Sequence, residues 1–252
     1  MRKKILIFTL VLLIAMTGSA AAHSLRNTIF ITEELPPYNY TENGKLTGAS
    51  VQILDAALDA VGIEQPANTI RVYPWARGFK TTLKIPNTCL FSTVRTDVRE
   101  KNFKWVGPIA DVNLIFISNK NGFKIDNLEE IKKYSVTTIR EGIGHQILKR
   151  EGFSDKHIDL SADISTMVEK IKRNRVDFLL ESDNVIYQVL ENKKINSSTF
   201  NKYYTLNFGQ LYFAFNKETD DSVVSRLQEG LNIIRKNGKL DKILSKLPAR
   251  SN

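Results

Sequence analysis

The chain has 252 residues, of which 42% are hydrophobic and 25% are charged, an ordinary globular composition. The net charge of +9 comes from basic residues that are mixed with acidic ones along the chain. Because no dense basic run or basic–aromatic repeat occurs, the charge argues against a nucleic-acid-binding protein. Cys89 is the only cysteine, which excludes an intramolecular disulfide and predicts a small buried residue within an apolar stretch.

The first 22 residues have the three parts of a secretory signal peptide. Arg2, Lys3 and Lys4 form a positive start, the uncharged run Ile5–Met16 follows, and small residues end at Ala20–Ala22. This run is shorter than the roughly 20 apolar residues of a membrane-spanning helix. We therefore expect cleavage after residue 22 and a periplasmic mature protein, with an uncleaved N-terminal anchor as the alternative.

Strand-like and helix-like segments alternate along the mature chain. Runs rich in β-branched, aromatic or other apolar residues predict strands at 28–32, 69–73, 113–118, 135–139, 176–180 and 211–215. Apolar residues at helical spacing predict helices over 51–61, near 167–171, over 223–234 and, after Gly238, over 240–247; Asp126 and Glu129 suggest one more helix start. This alternation predicts an α/β protein whose parallel sheets are covered by helices.

Signatures of catalysis, metal binding and nucleotide binding are missing from the sequence. The three histidines, His23, His145 and His157, form no ligand pair at metal-binding spacing, and no Cys-x-x-Cys occurs. There is no G-x-S-x-G elbow, P-loop or G-x-G-x-x-G fingerprint. We therefore assign no catalytic residue, no metal and no cofactor.

Four stretches carry the most informative residues. They are Glu34–Tyr40 with its Pro-Pro pair, Tyr73–Phe79 with a tryptophan and an arginine, Ser92–Glu100 with two arginines, and Gly209–Lys217. Taken together and in this order, they resemble the family 3 bacterial extracellular solute-binding proteins, the polar-amino-acid receptors of ABC importers. The resemblance spans essentially the whole mature chain.

The resemblance implies the type II periplasmic-binding-protein fold: two α/β lobes, two hinge crossings and a ligand cleft between the lobes. Residues 1–22 would be the signal peptide, 23–110 with 209–252 the first lobe, and 111–208 the second. It implies a monomer that captures a small carboxylate-bearing ligand, an amino acid or a related molecule, by lobe closure. The closed form would then be presented to a membrane permease or sensor, with no nucleic acid involved.

The resemblance also implies a carboxylate-binding arginine. In the family an arginine in a segment like Thr96–Glu100 binds the ligand carboxylate, which places this role on Arg99. A guanidinium group offers a planar pair of donors that matches a carboxylate. Arg95 is a candidate second donor, and Tyr38 matches the aromatic residue that packs against the ligand.

Further candidates come from the positions of the motifs. Trp75 and Arg77 follow a predicted strand, where open sheets place ligand sites, and Trp75 offers a face for stacking or cation–π contact. Glu34 directly precedes the Pro-Pro loop, and Ser92 opens the third stretch. We include Glu34, Trp75, Arg77 and Ser92 among the predicted ligand-binding residues.

In the second lobe, the segment that contains Gly142 matches the family's strand-to-helix turn, whose backbone N–H groups favour an anion. Ile143 stands where the family usually has Thr or Ser. Ser182 stands where the family usually has the Asp that binds the ligand's ammonium group. Of its two acidic neighbours, Glu181 and Asp183, we favour Glu181 as the replacement.

Two other functions remain open at this stage. An enzyme of the same fold, similar to a dehydratase, would need an acid or base in the cleft, and its candidates are Glu34, Glu141, Glu181 and His145. A ligand-sensing adaptor without a transporter would use the same cleft for binding alone. Turnover of a bound ligand distinguishes the first, and a gene neighbourhood without a permease favours the second.

Overall fold

The computed structural model describes residues 25–63 and 70–247, with the side chains of residues 207 and 208 excepted. The predicted signal peptide, residues 1–22, lies outside the described residues. Within them, no helix has the length and apolar character that crossing a membrane requires.

Ten strands are present in the described residues. They are β1 (Ile29–Thr32), β2 (Tyr40–Glu42), β3 (Lys45–Thr47), β4 (Ile70–Val72), β5 (Thr88–Val94), β6 (Phe103–Ser118), β7 (Val136–Ile139), β8 (Ile158–Ser161), β9 (Phe178–Ser182) and β10 (Asn201–Asn216). Eight of them form one sheet in the order β4-β1-β5-β10-β6-β9-β7-β8, and β2 pairs with β3 as a hairpin.

The sheet is mixed. β1 runs parallel to β4 and β5, and β7 runs parallel to β8 and β9, as the alternating pattern predicts. The expectation of parallel sheets holds within each lobe but not at the centre, where β10 is antiparallel to β5 and β6, and β6 is antiparallel to β9. The reason is that both central strands cross between the two halves of the molecule. β10 runs against the parallel strands of the first half, and β6 runs against those of the second.

Eight α-helices cover this sheet in the described residues. They are α1 (Ala49–Ala60), α2 (Trp75–Lys84), α3 (Asp97–Glu100), α4 (Ile143–Arg150), α5 (Ile164–Lys172), α6 (Asp183–Asn192), α7 (Asp221–Lys236) and α8 (Lys239–Leu244). The predicted periodicity is confirmed in α1, α5 and α7, since each buries its apolar face. Gly238 adopts a left-handed conformation between α7 and α8.

The elements group into two lobes, as the resemblance implies. The first lobe contains β1–β5, α1–α3, α7 and α8; the second contains β7–β9 and α4–α6. Each lobe also includes one part of β6 and one part of β10, which are 16 residues each and pass through without interruption. For that reason the exact lobe boundaries, 110/111 and 208/209, stay predictions.

Several predicted segments differ from the structure. The strand predicted at 113–118 is only the end of β6, and the strand predicted at 176–180 starts later, at Phe178. The helix start expected at Asp126 is a short 3₁₀ turn, Leu128–Ile131, capped by Asn127. The Asn127 side chain accepts the Glu130 N–H, and the Glu130 carboxylate accepts the Asp126 N–H, so the cap lies one residue later.

Gly230 allows α7 to approach α1 closely. A Cβ atom at this position would lie 2.0 Å from the backbone oxygen of Ala57.

Cys89 is fully buried in β5, as expected, and burial raises the pKa of its thiol well above the ordinary value.

We expect Gly230→Leu to destabilise the first lobe by at least about 1–3 kcal/mol, because the helices must separate. Urea unfolding of the purified protein measures the change. Glu229→Ala, an exposed change one position earlier, is the matched control. Equal stability of the Gly230 variant and the wild type would contradict the close helix contact.

Candidate functional site

A cavity of about 50 Å³ lies between the two lobes. This is room for on the order of four water molecules. Its wall is mostly apolar with a few polar groups. The lining residues are Glu33, Leu35, Tyr38, Trp75, Ser92, Val94, Arg99, Val112, Leu114, Ile139, Gly142, Ile143, Gly144, Glu181, Ser182, Val185 and Leu211.

Strand ends deliver the polar groups to this cavity. Glu33 directly follows β1, and Trp75 begins the helix after β4. On the opposite lobe, Gly142 follows β7, while Glu181 and Ser182 end β9. Because β1, β4, β7 and β9 all point their carboxyl ends at the cleft, the two lobes present their polar residues to each other, as open α/β sheets do.

Arg99 is the central cation of the site and is 1% exposed. Its guanidinium donates to the Val94 carbonyl at 3.1 Å and to the Glu141 carbonyl at 3.3 Å. With the Gln146 amide turned so that its oxygen faces Arg99, that oxygen accepts from Nη2 at 3.1 Å and from Nε at 3.0 Å. The guanidinium carbon also lies 4.9 Å from the ring centroid of Trp75.

The electrostatic state of Arg99 follows from this burial. Removal from water lowers the pKa of Arg99 to about 10, and the nearby Glu33 carboxylate opposes the shift. Since this value is still well above neutral pH, the guanidinium stays protonated. A permanent buried cation therefore bridges the lobes.

Glu141 of the second lobe makes several contacts with the first lobe. It adopts a left-handed backbone conformation, φ 59°, which is uncommon outside glycine. Its carbonyl accepts Trp75 Nε1–H at 2.8 Å as well as the Arg99 bond, and its carboxylate lies 3.1 Å from Lys80 Nζ. One residue of the second lobe thus contacts three side chains of the first.

A second contact joins the lobes at Tyr38. The Asn184 side-chain amide donates to the Tyr38 hydroxyl at 3.0 Å, and Tyr38 is 1% exposed. Together with the Glu141 contacts, this bond connects the two lobes directly.

Two carboxyl groups line the cavity in addition to Arg99. Burial is the main cause that raises the pKa of Glu33 to about 8, with further contributions from Glu181 and Glu34, while Arg99 opposes the shift. Burial also raises the pKa of Glu181 to about 7, while the N–H of Ser182 opposes the shift. These groups therefore titrate near neutral pH.

Two serines of the wall differ in their hydrogen bonding. The Ser92 hydroxyl contacts Asn39 Oδ1 and lies 2.9 Å from Ser50 Oγ, so it is used within the first lobe. The Ser182 hydroxyl is buried and has no hydrogen-bond partner among the described residues. Ser182 is therefore a polar group of the wall with unused hydrogen-bonding capacity.

Six of the nine predicted site residues line the cavity. They are Tyr38, Trp75, Ser92, Arg99, Gly142 and Glu181. Their role in ligand binding stays a prediction.

The other three predicted residues lie outside the cavity wall. Glu34 is exposed, and its carboxylate accepts from the N–H and the hydroxyl of Thr41. Arg77 lies 4.1 Å from the ring centroid of Tyr73. Arg95 forms a two-bond ion pair with Glu100, at 2.6 and 2.7 Å.

Three residues of this site were missed by sequence reasoning. Glu33 lines the cavity in place of its neighbour Glu34, Gln146 contacts Arg99, and Ser182 exposes an unused hydroxyl to the wall. The adjacent acids at 33 and 34 were the available signal for Glu33. Nothing in the sequence pattern indicates the Gln146 contact.

Comparison with known proteins agrees with this architecture. The model of the bacterial extracellular solute-binding proteins, family 3, matches residues 28–247. The chain belongs to this family. Proteins of family 3 are usually periplasmic or extracellular and bind small molecules.

A relative and two solved structures are similar to this chain. "Probable amino-acid-binding protein YxeM" of Bacillus subtilis strain 168 is 22% identical over 234 residues, which are 91% of this chain and 87% of that protein. A histidine kinase sensor domain similar to periplasmic binding proteins has a TM-score of 0.78 at 19% identity, over 88% of this chain and 96% of its own. The arginine-, lysine-, histidine-binding protein ArtJ from Geobacillus stearothermophilus has a TM-score of 0.74 at 17% identity, over 89% and 96% of the two chains.

The relative and ArtJ are named as binding proteins, not as enzymes. Within the described residues, no group of three or more His, Cys, Asp and Glu side chains is placed to hold a metal ion.

The titration of Glu33 predicts a pH-dependent stability. Because the folded state raises the pKa of Glu33 from 4.5 to about 8, its protonated form is favoured by folding. This contribution is complete below the unfolded value and is lost as the pH rises through about 8. We expect the Tm of the Glu33→Gln variant, whose side chain at position 33 cannot titrate, to fall less than the Tm of the wild type between about pH 5 and about pH 8.5.

Thermal unfolding at several pH values measures this difference, where each kcal/mol corresponds to about 2–4 °C. Glu34→Gln is the matched control, because its carboxylate is exposed. Parallel pH profiles for the Glu33 variant and the wild type would contradict the assignment.

Proposed function

We propose that this protein is a periplasmic solute-binding protein that captures a small carboxylate-bearing ligand, an amino acid or a related molecule, by lobe closure. It binds without catalysing a reaction, acts as a monomer, and delivers its ligand to the permease of an ABC importer. One observation carries the proposal: both lobes of a family 3 protein line a cavity beside the buried cation Arg99.

Lobe closure is supported by the polar nature of contacts that join the lobes beside the cavity. They include the Trp75–Glu141, Arg99–Glu141 and Tyr38–Asn184 hydrogen bonds and the Lys80–Glu141 ion pair. Such bonds can be exchanged for water when the lobes separate, whereas a packed apolar interface would resist opening. A ligand that contacts both lobes then shifts the population toward the closed form.

The carboxylate is expected to bind between Arg99 and the N-terminus of α4. Gly142 caps this helix without a side-chain bond, and Gly142–Gly144 line the cavity. The first-turn N–H groups of a helix have no partner within the helix and favour an anion. A ligand carboxylate would take the place of the Gln146 amide oxygen on Arg99, which replaces a bond to a neutral amide with an ion pair.

A ligand-sensing role is the second candidate. The histidine kinase sensor domain with a TM-score of 0.78 favours it, since a similar fold serves as a sensor domain there. Ligand capture would be identical, and only the membrane partner would differ. Co-purification of the ligand-loaded protein with a permease or with a kinase distinguishes the two.

We expect Arg99→Lys to weaken binding of carboxylate ligands by about 10-fold or more, because lysine keeps the charge but lacks the planar pair of donors. The measurement is isothermal titration with the tightest ligand from a thermal-shift screen of the 20 amino acids and small organic acids. Arg95→Lys is the control, because Arg95 lies outside the cavity. Full affinity in the Arg99 variant, or a loss only in the Arg95 variant, would refute the carboxylate model.

We expect Trp75→Phe to release the ligand faster, because phenylalanine keeps the aromatic face but cannot donate to the Glu141 carbonyl. A net hydrogen bond of about 1 kcal/mol corresponds to a rise in koff of about 5-fold. Stopped-flow displacement measures koff, and small-angle scattering reports closure. Trp105→Phe is the control, since the Trp105 N–H bonds within its own lobe, to Glu100. Unchanged koff in the Trp75 variant would exclude this bond as part of the closed state.

A further inference from the structure

We propose that the exposed side of α2 docks on the surface of an anionic phospholipid membrane. The docking surface is defined by Arg77, Lys80 and Lys84 of this helix together with Arg71 of β4, and we call it the α2 basic face. The inference goes beyond ligand capture, because it concerns where the protein is held and not what the cleft binds. Its test needs no knowledge of the ligand.

The cations of the α2 basic face form one continuous patch. Positions 77, 80 and 84 are spaced by three and four residues, so they lie on one side of the helix, and their side chains are exposed. Tyr73 connects them to Arg71, which is also exposed. Arg71 Nη1 donates to the Tyr73 hydroxyl at 3.4 Å, and the guanidinium carbon of Arg77 lies 4.1 Å from the Tyr73 ring centroid.

Almost no negative charge offsets this patch. Residues 70–86 contain four cationic side chains and neither Asp nor Glu. Among the residues that the structure describes, Arg71, Arg77 and Lys84 form no ion pair. Lys80 does form one, with the Glu141 carboxylate of the second lobe at 3.1 Å. The patch therefore carries a local excess of positive charge.

Exposed cations of other helices are arranged differently, because acids stand beside them. These pairs are Lys149–Asp155 and Arg150–Glu151 at the end of α4, Lys172–Glu169 and Arg173–Glu169 at the end of α5, and Arg226–Glu229 in α7. The α2 basic face is thus a local feature, and more than an even share of the net charge of +9.

Exposed aliphatic side chains border the cations. Val72, Leu83 and Ile85 are 37%, 37% and 47% exposed, and they are three of the five large apolar side chains that are exposed in the described residues. Ile85 lines an open surface groove together with Arg77 and Lys84. Cations attract anionic headgroups, while neighbouring aliphatic groups can enter the boundary of the acyl chains. This combination favours a lipid surface over an acidic protein.

Lys80 links the α2 basic face to the arrangement of the lobes. Its partner Glu141 belongs to the second lobe, so the pair lasts only while the two lobes are in contact. Separation of the lobes, as in the proposed function, would free the Lys80 charge and make the face more positive. Each cation close to an anionic membrane strengthens binding by about 5-fold.

Sedimentation with phospholipid vesicles tests the proposal on the mature protein, which is predicted to begin at His23. One set of vesicles contains phosphatidylglycerol and phosphatidylcholine in equal parts, and the other contains phosphatidylcholine alone. We expect binding to the anionic vesicles to be about 100-fold tighter at about 0.05 M salt and to be mostly lost at about 0.5 M. Equal binding to both sets, or binding to neither, would overturn the membrane assignment, and an acidic protein would then be the better partner for this face.

Charge-neutralising variants locate the contact. We expect the double variant Arg77→Gln with Lys84→Gln to bind anionic vesicles about 10-fold or more weakly. The matched control is Lys239→Gln with Lys242→Gln, which removes the same charge from two exposed positions of α8. Thermal melts confirm that all variants fold. Equal losses in the two double variants would mean that net charge alone causes binding, and would overturn the role of α2.

The aliphatic border has a test of its own. We expect Ile85→Ser to weaken vesicle binding by about 3-fold or more, because a side chain that enters the membrane loses apolar surface. Val98→Ser is the control, since Val98 is 74% exposed on α3 and lies outside the face. Equal affinity of the Ile85 variant and the wild type would overturn the preference for lipid over an acidic protein.

Removal of an acid should have the opposite effect. We expect Glu141→Gln to strengthen binding to anionic vesicles by about 5-fold, because Lys80 regains its full charge. Glu151→Gln is the matched control: its side chain is 33% exposed against 34% for Glu141, and it pairs with Arg150 away from the face. A gain in the Glu141 variant alone would support the proposal, whereas equal gains in both variants would overturn the link between Lys80 and the membrane. Ligand capture in the cleft stands or falls separately, since these measurements contain no ligand.

Discussion

The antiparallel pairing of β6 with β10 is the constraint on which the other elements depend. The two 16-residue strands stay paired from Asn201 and Ser118 at one end to Asn216 and Phe103 at the other. β5 joins this pair in the first lobe and β9 joins it in the second. Because both lobes grow outward from one continuous pair of strands, their strand ends meet at a single cleft.

The regular periodicity of the sequence was enough to predict the outer parts of both lobes. Strands such as β1 and helices such as α1 and α7 have clear patterns of buried residues. The first half of β6 was not predicted as a strand, because it contains Pro108 and alternates irregularly between buried and half-exposed positions. Proline normally marks the edge of a sheet, whereas this strand lies near its centre.

The candidate site was predictable where a motif fixes a position, and less so where side-chain direction decides. The aromatic residue after Pro-Pro and the arginine of α3 line the cavity at Tyr38 and Arg99. The choice between Glu33 and Glu34 depends on which of the two side chains points into the cleft after β1 ends, and composition gives no information on that direction. The contact between Gln146 and Arg99 joins residues of different lobes, so only the folded arrangement reveals it.

The path of the chain also sets an order of assembly. The second lobe is nearly continuous in sequence, since β7–β9 and α4–α6 lie between Val136 and Asn192. The first lobe lacks its β10 strand and the helix α7, which packs on α1, until residues up to Lys236 are present. Contacts between distant segments form slowly, since a long loop must close first. During synthesis from the N-terminus, the half of the protein that emerges first would therefore be the last to finish folding, and its apolar strands would remain exposed to chaperones and proteases for longest.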